Sequence, residues 1–138
     1  MRKIIGLIVV LFFATSCVSS QRTEQIEIVN DSSQENIYSV DETYGYSEKN
    51  PIQVGGFKNG PIRESEYLNS LTGPNGEKVK YYRIGSCCPF ETPNSDWGSG
   101  MLDKFRVTYK GLKKDLILYI NMYDSDTLKA PNGFKFKK

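Results

Sequence analysis

The sequence predicts an α+β domain, a small and mainly antiparallel sheet of four to five strands with one early helix packed on it. Three observations lead to that class. One stretch near residue 61 repeats its apolar residues at helical spacing between two Gly-Pro pairs. Segments after residue 79 alternate or run apolar at strand length, and turn-forming residues separate them. Helices and strands segregated along a chain favour a sheet with its helix on one face.

Taken in order, Tyr44-Gly45-Tyr46-Ser47 and Asn50-Pro51 read as turns, and Pro51-Ile52-Gln53-Val54 as a brief strand ended by Gly55-Gly56. Gly60-Pro61 marks a helix start, glycine at the N-cap and proline at the first helical position. Tyr67, Leu68 and Leu71 share a face, and Gly73-Pro74 is the stop, so the helix should cover residues 61–71. Asn75-Gly76 turns the chain into the β-favouring run Val79-Lys80-Tyr81-Tyr82-Arg83-Ile84. Residues 91–100 then form the longest loop, around the only tryptophan, Trp97.

From Asp103 to Lys110 the alternation puts Phe105, Val107 and Tyr109 on one face and Lys104, Arg106, Thr108 and Lys110 on the other. Residues 116–123 are apolar on both faces except at Asn121, which marks a central strand, and Gly111 to Lys114 should turn the two into an antiparallel hairpin. Phe134-Lys135-Phe136-Lys137 supplies a short edge strand whose lysines discourage aggregation.

Residues 1–16 have the order of a signal peptide: Arg2 and Lys3, an apolar run from Ile4 to Ala14, then Thr15 and Ser16. That run holds 11 residues, short of the ~20 that a membrane-spanning helix needs. Ala14-Thr15-Ser16-Cys17 resembles a lipobox, at which bacteria attach diacylglycerol to the cysteine thiol and cleave before it. Acyl chains contribute about 0.8 kcal/mol per buried methylene, so lipid on Cys17 would anchor the chain to a membrane by itself. The other reading of the same bond is a plain cleavage that leaves a free thiol. Residues 17–42, rich in Ser, Gln, Glu, Asn and Asp, are expected to form a lipidated N-terminus and flexible tether, with Gln25 to Val29 able to dock as a strand. Residues 43–138 are expected to be a single α+β domain.

Composition narrows the chemistry. The whole chain has 18 basic and 16 acidic residues, and loss of Arg2 and Lys3 with the leader leaves 16 of each. The mature chain is formally neutral, so net charge supports neither nucleic-acid nor anionic-membrane binding. There is no histidine, which excludes Ser-His-Asp, Cys-His and His-zinc sites. No motif asks for a cofactor or a metal. Asp124-Ser125-Asp126 begins like a calcium loop, but Leu128 and Lys129 stand where an oxygen ligand and glycine are needed, so it reads as a turn. Glu64 and Glu66, two apart on a helix, diverge and cannot form a carboxylate pair with each other.

With Cys17 acylated, two cysteines remain, adjacent in Gly85-Ser86-Cys87-Cys88-Pro89. Three readings stand beside one another: thiols buried as small apolar residues at a strand end, a vicinal disulfide shaping a loop, and a redox-active or copper(I)-binding pair. Arg83 and Lys80 are near enough in sequence to lower a thiol pKa. Tyr81, Tyr82 and Trp97 are candidates for an aromatic ligand platform or for core.

Tyr44-Gly45-Tyr46, Asn50-Pro51-Ile52-Gln53-Val54-Gly55-Gly56, Gly73-Pro74-Asn75-Gly76-Glu77, Gly85-Ser86-Cys87-Cys88-Pro89-Phe90 and the run from Leu116 to Tyr123 resemble segments of a group of short, uncharacterised lipoproteins of Bacteroidota and related Gram-negative bacteria. Some members carry the name 2-dehydro-3-deoxyphosphooctonate aldolase. An enzyme of that name resembles a (β/α)₈ barrel of about 250 residues with alternating strands and helices, a pattern this chain lacks. The resemblance therefore implies an address and no residue roles. In similar lipoproteins Val18 after the anchor implies the outer membrane, and Val18-Ser19-Ser20-Gln21, without an acidic cluster, the periplasmic face. The expected function is a non-catalytic, lipid-anchored envelope module with an envelope protein as partner. The alternative is a thiol redox or copper(I)-handling protein using Cys87 and Cys88, and an enzyme such as the aldolase comes third.

Overall fold

The structure is a computed structural model that describes Ser39 and residues 41–138. The expected signal peptide of residues 1–16, the expected lipidation site Cys17 and the Gln25 to Val29 segment lie outside the described residues. In chain order the elements are β1 (Ile52–Gln53), a 3-10 turn (Phe57–Asn59), α1 (Gly60–Ser70), β2 (Leu71–Thr72), β3 (Lys80–Glu91), β4 (Ser99–Thr108), β5 (Leu116–Asn121) and β6 (Lys135–Phe136). The fold is α+β. Four strands form one sheet in the order β1-β5-β4-β3, and β2 pairs with β6 in a second, two-stranded sheet.

The helix begins at Gly60 with Asn59 as N-cap and Pro61 in its first turn. Glycine is required at position 60, because a Cβ there would lie 2.2 Å from the Met122 sulfur. Leu71 does not end the helix as the apolar stripe suggests. It turns extended, with φ −83° and ψ 149°, to pair with Phe136 in the second sheet. Burial decides this, since Leu71 is fully enclosed there.

Tyr67, Leu68 and Leu71 pack with Phe105, Val107, Leu118 and Ile120, so α1 covers one face of the sheet. The central position of β5 and its antiparallel hairpin with β4 follow the sequence reading, Val107 standing opposite Leu116. β1 differs in sense, pairing parallel to β5 with Ile52 opposite Ile120. β6 is not an edge strand of the main sheet but the partner of β2.

The largest departure is β3. Expected over residues 79–84, it continues to Glu91, and β4 starts at Ser99 rather than Asp103, so the loop shrinks to residues 92–98. Gly85 and Pro89 are local strand breakers, but two register shifts, between Arg83 and Gly85 and between Cys87 and Pro89, absorb them as bulges. β3 is an edge strand, where proline's missing N–H is tolerated. At the other end, Ser39 and Asp41 of the expected tether are tied to the packed unit: Ser39 N–H donates to Ala130 O, and Asp41 Oδ2 accepts from Asn50 Nδ2. Among the described residues no helix is long and apolar enough to cross a membrane.

Candidate functional site

The two bulges of β3 set the geometry of the candidate site. Cys87 stands opposite Leu102, and Cys88 is the extra residue of the second bulge, with φ +57°. That left-handed conformation is unusual for a residue with a Cβ and costs on the order of 1 kcal/mol. The two sulfurs are joined in a disulfide, with the Cα atoms 3.7 Å apart. The reading as two buried thiols at a strand end is thus replaced: the pair lies within a strand, half-buried and bonded. Beside it Glu48, Lys49, Cys88, Pro89, Phe90 and Leu102 line an open hollow of about 420 Å³.

Neighbouring strand positions project to opposite faces, so Ser86, one residue from Cys87, points with its partner Asp103 toward the helix side. Ser86 Oγ donates to Asp103 Oδ1 at 2.7 Å, and Arg83 forks onto both Asp103 oxygens at 2.6 and 2.7 Å. The guanidinium is thereby engaged with Asp103, which raises the Arg83 pKa further, and it does not serve the thiols. Lys80 is exposed at the far end of β3 opposite Thr108.

Glu64 of α1 completes this cluster from above. It is 1 % exposed, and its Oε1 has no hydrogen-bond partner. Burial, and next the charge of Asp103, push its carboxyl up to about 8 against a smaller opposing effect of Arg83. At neutral pH Glu64 therefore holds its proton while Arg83 neutralises Asp103. Both carboxyls lie in the core beneath the half-exposed Arg83 guanidinium. The sequence reading set Glu64 only against Glu66; its true neighbour is Asp103. Both positions carry a signal that was available, since Glu64 shares the helical face of Tyr67, Leu68 and Leu71, and Asp103 continues the inward series Phe105, Val107.

The aromatic candidates do not assemble. Tyr81 faces the core, edge-on to Phe105 at 6.1 Å. Tyr82 faces outward with the Arg106 guanidinium 5.4 Å over its ring. Trp97 stands at the hairpin tip, 88 % exposed. Seven residue steps of β4 separate Ser99 from Arg106, roughly 23 Å, so no small-molecule ligand spans all three rings. Instead the hairpin gathers exposed apolar groups: Tyr82, Ile84, Trp97 and Met101 are four of the six large hydrophobic side chains exposed among the described residues.

The tip is fastened to the sheet by Asp124. Its Oδ1 accepts from Thr92 Oγ1 at 2.6 Å and Asn94 Nδ2 at 2.7 Å, and its Oδ2 from Asn121 Nδ2 at 2.9 Å. Burial opposes the charge of Asp124, but these three bonds outweigh it and hold the pKa below its ordinary value. The segment Asp124-Ser125-Asp126 is thus a turn whose first carboxylate is spent on the hairpin. At the sheet end Gly100 is required by close approach, since a Cβ there would lie 2.7 Å from the Tyr123 ring. Among the described residues no group of three or more His, Cys, Asp or Glu side chains is placed to hold a metal ion. No family model, curated protein or solved structure matches the chain significantly.

Proposed function

We propose that the protein is a non-catalytic envelope module, anchored to a membrane by lipid on Cys17, that captures another envelope protein on the β3–β4 hairpin. The observation that carries this reading is the concentration of Tyr82, Ile84, Trp97 and Met101 on that hairpin, with Trp97 at its tip 88 % exposed. An indole held in water on a fastened tip gains about 2–3 kcal/mol when a partner covers it, and tryptophan and tyrosine are common energetic centres of interfaces. The lipobox-like Ala14-Thr15-Ser16-Cys17 supports the anchor, Val18 after it supports the outer membrane, and the lack of an acidic cluster in Val18-Ser19-Ser20-Gln21 supports the periplasmic face. Photo-crosslinking from position 97 in living cells tests the capture. A discrete adduct that disappears with Tyr82→Ala is expected, and crosslinks to solvent-exposed bystanders in proportion to their abundance would refute it. Metabolic labelling with a palmitate analogue tests the anchor: wild type should be labelled and Cys17→Ser should not.

A second reading, thiol redox or copper(I) handling, is supported by the disulfide at a half-exposed bulge. Reduced Cys87 and Cys88 would offer two soft ligands. One equivalent of copper(I) taken up by the reduced chain and none by Cys87→Ser would favour it over capture.

A further inference from the structure

The mature chain is formally neutral, yet the fold does not distribute its charges evenly. Lys78, Lys80, Lys110, Lys113, Lys114 and Lys135 are all exposed, and all lie at the end of the domain where β3 begins and β4 closes. Lys80 stands opposite Thr108, two residues before Lys110. Thr72 joins the others, bridging to Lys78 and pairing with Lys135. Only Glu77 and Asp115 oppose these six in the same segments, a formal excess of four positive charges. Glu77 faces the 110–114 turn across an open hollow of about 510 Å³ whose rim carries Lys110, Lys113 and Lys114. At the opposite end, residues 91–99 hold Glu91 and Asp96 and no basic residue.

The geometry points to this lysine end as a docking surface for an anionic phospholipid bilayer, which would orient the domain with the Trp97 hairpin tip away from the membrane. Two further observations select a bilayer over a soluble polyanion. The packed unit begins at Ser39, whose N–H is held by Ala130 O, and the neighbouring turn offers its Gly133 carbonyl to Tyr109, a residue of the basic hollow. The chain therefore enters the domain beside the segment Ala130 to Gly133, whose last carbonyl meets Tyr109 of the basic hollow. Twenty-one residues lie between Cys17 and Ser39. A fully extended chain of that length reaches at most about 75 Å, so a lipidated Cys17 holds this end within that distance of the headgroups. Screening confines attraction to about 8–10 Å, within which the exposed ammonium groups of one end act together while the ten-residue β4 puts the tip roughly 30 Å off.

The inference rests on the anchoring reading for its orientation, but its charge test does not need the lipid. The mature chain carrying Cys17→Ser is mixed with vesicles of phosphatidylglycerol and phosphatidylcholine, or of phosphatidylcholine alone. Partition onto the anionic vesicles at least tenfold stronger than onto neutral ones is expected, with release in about 0.5 M salt. Lys113→Glu/Lys114→Glu should weaken it at least tenfold without moving the thermal midpoint, and Trp97→Ala should leave it unchanged. Equal partition onto both vesicles, no partition, an inert charge reversal, or capture by soluble polyphosphate with the vesicles ignored would each overturn the proposal. An unacylated native chain would refute the anchor while leaving the vesicle result intact.

Discussion

Arg83 and Asp103 are joined across β3 and β4 by two parallel N–H···O bonds, Nε to Oδ2 at 2.6 Å and Nη2 to Oδ1 at 2.7 Å. The two residues are not direct cross-strand partners; the bulge between Arg83 and Gly85 shifts the register so that the guanidinium reaches Asp103. The carboxylate side chain is 7 % exposed and the arginine side chain 49 %, so the pair closes the rim of the core beside Glu64.

Removing the guanidinium strands a buried carboxylate next to a second carboxyl. For a fully enclosed pair this costs 3–5 kcal/mol, and half exposure of Arg83 reduces it, so Arg83→Met should lower stability by about 2 kcal/mol. Arg83→Lys, which cannot fork onto both oxygens, should recover about half. Urea unfolding measures both; equal losses for the two variants would show that the fork is not what matters.

Glu64 makes stability depend on pH in an unusual direction for a carboxyl. Its native pKa is raised from 4.5 to about 8, so between those values the unfolded chain releases a proton that the native chain retains. Stability from this group is complete below pH 4.5 and falls as pH rises toward 8, by up to about 1.4 kcal/mol per pH unit. Glu64→Gln keeps the shape and removes the titration. Thermal midpoints between pH 5 and 8 should decline in wild type and stay level in the variant, and parallel curves would dismiss the effect.

Alkylation of the unfolded chain, followed by intact-mass measurement, checks the disulfide. Cys87 and Cys88 should take up no label without reductant and two labels after reduction. The φ of +57° at Cys88 adds a finer expectation. Cys87→Ser/Cys88→Gly should be more stable than Cys87→Ser/Cys88→Ser by about 1 kcal/mol, because glycine adopts that conformation without a Cβ penalty.

Asp124 should govern the order of the hairpin tip. Asp124→Ala removes the acceptor of Thr92, Asn94 and Asn121 together. Amide hydrogen exchange in residues 92–98 should quicken by at least tenfold while the β4–β5 ladder is unaffected. Because its pKa is lowered from 3.8, the wild-type anchor is present above that value and is lost only as pH falls through the native pKa beneath it.

Several elements were legible because local pattern and burial agree. The apolar run from Leu116 marks a strand covered on both faces, and β5 indeed lies between β1 and β4. Phe105 and Val107 alternate inward as the sequence implies. β3 was not legible beyond Ile84, because Gly85 and Pro89 are breakers by local rules. Only pairing with β4 reveals that bulges can carry them. The carboxyl cluster was missed for a related reason: Glu64 and Asp103 are polar residues at inward positions of two patterns, and a pattern read singly does not show that they meet.

The sequence by itself determined the class of fold, the helix near Pro61, the β4–β5 hairpin and the question posed by adjacent cysteines, since each follows from spacing within a few turns or a single strand. Tertiary structure alone decided that Cys87 and Cys88 sit on a bulge, that Glu64 meets Asp103, that Trp97 stands apart from Tyr81 and Tyr82, and that six lysines gather at one end of a chain whose formal net charge is only +2. The physical reason is that these depend on register between strands and on which ends of distant segments coincide. Composition and periodicity are blind to both.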